Sequence, residues 1–362
     1  MRLALLIYDG LDTISGGYLY DRKLIEYLRG QGDAVEIISI PWQNYLRNLM
    51  DNISAMLFNR LRELDVDILL QDELNHPSLF WTNQRLKGKV NYRIVSIVHH
   101  LRSSEVRPGP ENAFYRAIER IYLSNISSFI FNSQTTWQAV SKLIKREPSG
   151  VVAYPGADRF SPQIQESKIV QRALQNGPLK LLFLGNLIPR KGLKTLLEAL
   201  SQVPAECCRL DVVGNMEMDK AYAREVKQQV KEKGLDERVE FLGTMADLDL
   251  ANRMCSSQVM VVPSTYEGFG IVYLEGMGFG LPAIGTTSGA AREIITPEVN
   301  GFLIAPNDAG NLARYLIELS QNRKRLLDMS LASLQSYRSH PTWAQSGERI
   351  RAHLLGSIEG KT

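Results

Sequence analysis

No stretch of this 362-residue chain approaches the roughly 18 consecutive apolar residues with which a helix crosses a bilayer, so no spanning segment is expected. Cysteine is scarce. The three present, Cys207, Cys208 and Cys255, are an odd number without metal-ligand spacing, which argues against a disulfide framework and a zinc site and for a reduced compartment. Excess charge is also lacking: 42 Lys and Arg against 39 Asp and Glu leave +3, too little to expect nucleic acid as a partner. Residues 1–8 meet Asp9 too soon for a secretory leader, so a cytoplasmic protein is expected, with peripheral contact at the inner face of a membrane left open. No serine or cysteine stands at a nucleophile elbow.

What is present describes an ordinary globular chain, 44% hydrophobic and 22% charged, and its length favours two domains. Short apolar runs alternate with helical patterns twice over. Residues 2–8, 34–40, 66–70, 93–98, 128–131 and 151–154 read as buried strands of one parallel sheet, and 179–184, 209–213, 239–242, 258–262 and 283–285 as those of another. The expected fold class is therefore α/β: two Rossmann-like, doubly wound parallel-sheet domains, 1–165 and 175–340, facing a central cleft at the carboxyl ends of their strands. The tail 341–356 is placed to return to the first domain as a helix, with Trp343, Ile350 and Leu354 on its packed side.

The densest chemistry lies after the apolar run 259–262. Glu267 and Glu275 stand eight positions apart around Gly268-Phe269-Gly270-Ile271-Val272, where glycines precede a helix expected to begin near Ile271. Unpaired N–H groups of a first helical turn suit a phosphate on Gly270, Ile271 and Val272, and an ionised carboxylate, which only accepts hydrogen bonds, suits vicinal sugar hydroxyls. Upstream, Gly185-Asn186-Leu187-Ile188-Pro189-Arg190-Lys191-Gly192 sets two cations on a glycine-flanked loop, where they could stabilise a departing diphosphate. In the first half, Gly16-Gly17 opens a helix and offers further N–H groups, and His99-His100 follows the strand 93–98. Glu73, His76 and Glu105 could add metal ligands, but no spacing here resembles a tight metal site, so metal-independent chemistry is expected.

These segments resemble family 4 of the retaining glycosyltransferases, whose signature is a glutamate pair with seven residues between its members in this Gly-Phe-Gly context. Gly280-Leu281-Pro282, Ser288-Gly289-Ala290 before Glu293-Ile294-Ile295, and Asn300-Gly301-Phe302-Leu303 follow in the family's order. The resemblance implies the GT-B fold and transfer of a sugar from a nucleotide-diphosphate sugar to an acceptor hydroxyl with retention of configuration, without a separate cofactor. It implies catalytic roles for His99, Glu267, Lys191 and Arg190, and donor binding by Gly16, Gly17, Asn186, Gly243, Phe269, Gly270, Ile271, Val272 and Glu275. Two positions depart from the pattern: Asn186 stands where an arginine is usual, with Arg190 as a substitute, and His100 replaces an acidic residue.

The acceptor is unassigned: a glycan, a lipid or a small molecule. Tyr45, Leu46, Leu49, Met50, Ile53, Met56, Leu57, Phe58 and Leu61 recur at helical spacing near Arg47, Arg60 and Arg62, which reads as a core face or as a helix lying on a bilayer. Asn132-Ser133-Gln134-Thr135-Thr136 reads as a helix cap. A non-catalytic nucleotide-sugar-binding subunit and a nucleotide-sugar epimerase or hydrolase of the same fold remain as alternatives.

Overall fold

Runs of Val, Ile and Leu that are apolar on both faces can only be satisfied by a sheet covered on both sides, and two such sheets organise the chain. The structure is a computed structural model that describes residues 1–359 apart from 14, 106 and 163. It divides into two units, Met1–Gly156 with Pro341–Thr362, and Ala157–His340.

The first unit carries β1 (Arg2–Tyr8), β2 (Ala34–Ile40), β3 (Ile68–Asp72), β4 (Arg93–Val98), β5 (Ser128–Phe131) and β6 (Gly150–Val152), all parallel, in the order β2-β1-β3-β4-β5-β6. Past Arg2 every residue of β1 is buried. The second unit carries β7 (Leu179–Leu184), β8 (Cys208–Val213), β9 (Val239–Gly243), β10 (Val259–Val261), β11 (Ala283–Thr286) and β12 (Gly301–Ile304), also parallel, in the order β12-β11-β10-β7-β8-β9. Each order reverses once, between β1 and β3 and between β7 and β10. Connections leave in opposite directions at such a reversal and open a crevice beyond the strand ends. The segments after those four strands are the ones that chemistry can use.

β6 is Gly150–Val152 where 151–154 was expected, β8 to β11 differ from the sequence reading by one residue at one or both ends, and β3 and β12 differ for reasons their side chains show. β3 lies two residues later than 66–70 because the polar Gln71 is accommodated inside the sheet, its amide exchanging two hydrogen bonds of 3.0 and 2.9 Å with the Asn83 amide. Asp72 thereby becomes a buried strand residue. β12 is a strand additional to those expected: the Asn300 side chain accepts from the Thr296 N–H at 2.7 Å, and Gly301 lies where a Cβ would be 2.0 Å from the Ala283 carbonyl.

The apolar stripe 45–61 is not one helix. It breaks into Tyr45–Leu49, a 3-10 turn Met50–Ile53 and Ala55–Arg62, with Asn44 and Ser54 capping the first and last. Tyr45, Leu57, Phe58 and Leu61 are buried, whereas Leu46, Met50, Ile53 and Met56 are 67, 60, 59 and 83% exposed. Core and surface readings each describe half of it.

The last helix, Trp343–Glu359, packs within the first unit. Trp343 meets the Tyr20 ring edge-on at 5.8 Å, Ser346 Oγ donates to the Tyr154 carbonyl at 2.6 Å, and Arg351 pairs with the buried Asp33 at 2.7 Å. At Gly347 a Cβ would lie 2.4 Å from Tyr27 Cγ. Alanine is favoured over glycine inside a helix by about 1 kcal/mol, yet overpacking of this kind costs about 1–3 kcal/mol. Gly347→Ala is therefore expected to lower the thermal midpoint of the intact chain and to raise it in a Tyr27→Ala background, as followed by circular dichroism.

Candidate functional site

In the second unit, three close backbone approaches position the site. A Cβ on Gly192 would stand 2.0 Å from the Pro263 carbonyl, and one on Gly289 would stand 2.0 Å from the Glu267 carbonyl. A Cβ on Gly214 would stand 1.9 Å from the Gly185 carbonyl. The loop after β7 is thus pressed against the loop after β10, and Thr265 N–H donates to the Arg190 carbonyl at 2.8 Å. Ser288-Gly289-Ala290 grips Glu267 from the other side, with Ala290 N–H donating to its carbonyl at 2.8 Å.

This frame brings Glu267, Lys191 and Arg190 together. Lys191 Nζ lies 2.5 Å from Glu267 Oε1, Ser264 Oγ donates to the same oxygen at 2.6 Å, and Arg190 Nη1 stands 3.8 Å from Oε2. Burial opposes the charge on Glu267, but Lys191, Arg190 and the Ser264 hydroxyl outweigh it and hold the carboxyl at about 2. Burial in turn holds the Lys191 ammonium below its usual range, against the pull of Glu267. Arg190 is further tied by donation to the Tyr266 carbonyl at 2.9 Å.

Directly beyond, Gly270 has φ +94° and caps the helix Ile271–Gly278 without any side chain across its first turn. Ile271 and Val272 are half-buried in that first turn, whose N–H groups have no partner within the helix. Phe269 is buried with its ring 5.8 Å from that of His340, so what it presents to the edge is backbone. Asn186 accepts from Ile188 N–H at 2.9 Å through its carbonyl and shapes the loop turn. Gly243 ends β9 at φ +69°, and its carbonyl accepts from Gly214 N–H at 2.8 Å.

Glu275 is held apart from the Glu267 group in an ion pair of its own. Buried on the helix Ile271–Gly278, it lies 2.9 Å from Arg159 Nη1, whose Nη2 reaches Asp247 at 2.7 Å. Burial raises the Glu275 carboxyl and Arg159 opposes that shift. Arg159, Asp247 and Ser264 were not singled out from the sequence; Ser264, three residues before Glu267, was the readable one.

In the first unit, Gly16 and Gly17 open the helix Gly16–Gly30, capped by Ser15. A Cβ on Gly17 would stand 3.1 Å from His99 Cδ2, so this glycine lets the helix lie on the imidazole. His99 Nε2 is 3.2 Å from Asp21 Oδ1, its N–H donates to Glu73 Oε2 at 2.9 Å, and its carbonyl accepts from Asn132 at 2.9 Å. Burial disfavours its charge, but Asp21, Asp72 and Glu73 overcome this and raise it to about 9. His100 instead pairs with Glu105 at 2.9 Å, which also holds Arg107 at 2.6 Å, so it staples its own loop. Ser133 caps the helix Gln134–Ile144. His76 bonds to the Glu73 carbonyl and the Tyr45 hydroxyl and is pushed down to about 3 by burial. Of the acids and histidines in this unit, Asp21, Asp72 and His99 are the set whose ligand atoms converge within 4.8 Å, close enough for a cation, whereas Glu73, His76 and Glu105 do not form such a set among the described residues.

Residues 164–334 match the family model "Glycosyl transferases group 1". A Corynebacterium glutamicum "GDP-mannose-dependent monoacylated alpha-(1-6)-phosphatidylinositol monomannoside mannosyltransferase" is 30% identical over 218 residues, 56% of this chain and 54% of the relative, so the match spans about half of that protein. A "Phosphatidyl-myo-inositol mannosyltransferase" of Mycobacterium leprae is 28% identical over 97% of this chain and 99% of its own. Among solved structures, sucrose-phosphate synthase from Thermosynechococcus elongatus aligns over all of both chains with a TM-score of 0.83 at 21% identity, a likeness of fold.

Removing one partner of a buried ion pair leaves the other charge uncompensated, at a cost of about 3–5 kcal/mol. Lys191→Met is expected to destabilise the chain by about 3 kcal/mol, and adding Glu267→Gln to restore much of that loss, in urea unfolding at neutral pH. Because the folded state holds the Glu267 carboxyl at about 2 against an ordinary 4.5, the pair contributes above 4.5 and its contribution disappears as pH falls through about 2. The gap between wild type and Lys191→Met should narrow over that interval.

Proposed function

We propose that this chain, whose residues 164–334 match the glycosyl transferases group 1 model and which has the GT-B fold, is a transferase that moves a hexosyl group from a nucleotide-diphosphate sugar to an acceptor hydroxyl with retention, without a metal ion. The observation that carries this reading is the Lys191–Glu267 pair beside the uncapped turn at Gly270. A diphosphate arriving there meets a buried cation, a guanidinium and unpaired N–H groups, while Glu267 accepts from the sugar hydroxyls that replace part of its hold on Lys191.

The bond between C1 and the phosphate oxygen breaks, the acceptor oxygen bonds to C1 on the same face, and its proton passes to a phosphate oxygen. Charge grows on the departing diphosphate, where Lys191, Arg190 and the N–H groups of 270–272 are already in place. Glu275, held by Arg159 through one oxygen, would take ribose hydroxyls with the other.

For the acceptor, the exposed Leu46, Met50, Ile53 and Met56, with Arg47 exposed among them, suit a bilayer surface, and the two curated relatives act on phosphatidylinositol lipids by name. No helix among the described residues is long and apolar enough to cross a membrane, so the contact would be peripheral.

Purified protein incubated with GDP-mannose, UDP-glucose and ADP-glucose is expected to hydrolyse one of them slowly, equally with and without EDTA, and a product of inverted configuration by proton NMR would refute retention. Lys191→Met should lower kcat by about 10²–10³-fold, as loss of one prepositioned donor does. On vesicles containing phosphatidylinositol, sedimentation should carry the wild type down, and Met50→Ser with Met56→Ser should release it; equal pelleting of both would remove the membrane reading.

A further inference from the structure

Asp21 belongs to none of the motifs above. It sits on the helix Gly16–Gly30 with no exposed surface, opposite Asp72 at the end of β3, also without exposed surface, while Glu73 is 1% and His99 6% exposed. The switch point between β1 and β3 has thus gathered three carboxyl groups and one imidazole out of water. The charged groups facing His99 from the packed elements are Asp21 on the helix, Asp72 on β3 and Glu73 on the turn after it.

Three adjacent buried carboxylates cannot all be ionised. Burial and the neighbouring acids raise Asp72 to about 7 and Glu73 well above its ordinary value, so both take up protons far more readily than a solvated carboxylate. Glu73 does so while Oε2 accepts the N–H groups of His99 and His100 at 2.9 and 3.4 Å. The remaining pair is Asp21 with His99. One ring nitrogen, Nε2, is committed to Asp21 at 3.2 Å, and the other, Nδ1, is buried with no hydrogen-bond partner. Gly17 beneath the ring and Tyr20 edge-on at 5.4 Å fix its plane.

We infer that Asp21 is a positioning residue: it keeps His99 as an imidazolium, turned so that Nδ1–H is left as a donor for an oxygen of the bound substrate. Asp72 and Glu73, both raised by burial, close the same cluster from the β3 side. A buried donor without a partner costs about 1–3 kcal/mol, and a substrate oxygen recovers that only while the ring is both charged and aimed. The role in turnover rests on the transferase reading, but the charge on His99 does not.

The test is histidine titration by ¹H–¹³C NMR in the ligand-free full chain, His99 being assigned among the five histidines by the loss of its signal in His99→Gln. In wild type, His99 should remain charged to about pH 9. Asp21→Asn should lower its midpoint by two pH units or more, Asp21→Glu should restore most of the shift, and Asp72→Asn should lower it by less than one unit. With the donor identified, the alkaline limb of kcat/KM should move by the same interval in Asp21→Asn.

A wild-type midpoint near the ordinary 6.5 overturns the inference, and so does an equal midpoint in wild type and Asp21→Asn. If Asp21→Asn does not fold, Asp72→Asn decides: a fall there to the ordinary value would give the role to Asp72 and overturn the assignment. Failure of wild type to turn over any nucleotide sugar would refute the transferase reading while leaving the titration intact.

Discussion

The site in the second unit depends on a carboxylate kept ionised where water is scarce. Glu267 is 5% exposed, and an isolated charge there would be protonated. Lys191 at 2.5 Å prevents this, and Lys191 can be there only because Gly192 lets its loop come within backbone contact of Pro263. Ser264, Arg190 and the clamp of Gly289 and Ala290 complete the same enclosure. Many residues far apart in sequence are therefore answerable to one ion pair, and the glycines among them are fixed by distance to neighbouring backbone.

The first unit handles buried charge in the opposite way. Instead of a cation for each anion it gathers acids around one imidazole, where burial raises two of the carboxyls and the acids raise the imidazole. An anionic ligand suits the first arrangement, which presents cations and N–H groups, and a neutral or weakly polar oxygen suits the second, which presents one directed donor. Parallel strand order accounts for both locations, since each group lies at the single reversal of its own sheet.

The two parallel sheets were legible in the sequence because buried parallel strands are unbroken apolar runs; β1, β2, β4, β5 and β7 begin and end where those runs do. The reading failed where polar side chains were buried with partners. Gln71 fell outside the expected strand because its partner Asn83 is twelve positions away, and β12 was not read as a strand, its four residues following an Asn300 whose side chain bonds to Thr296 and Ile294. Lys191, Arg190 and Glu267 could be named from their local setting, but not their direct pairing, which depends on contact between two loops more than seventy residues apart. Asp21 was invisible for the same reason: a lone aspartate in a helical pattern looks solvated until the end of β3 is seen against it.

The last helix completes the first unit only after the whole of the second has intervened in the chain. Synthesis runs from the amino terminus, so residues 157–340 leave the ribosome as a contiguous stretch able to fold at once, while residues 1–156 wait for their missing piece. Tyr20 meets the His99 ring at 5.4 Å and the Trp343 ring at 5.8 Å, so the delay reaches as far as the imidazole. Until Trp343 arrives, the Tyr20 ring beside the imidazole has no wall behind it.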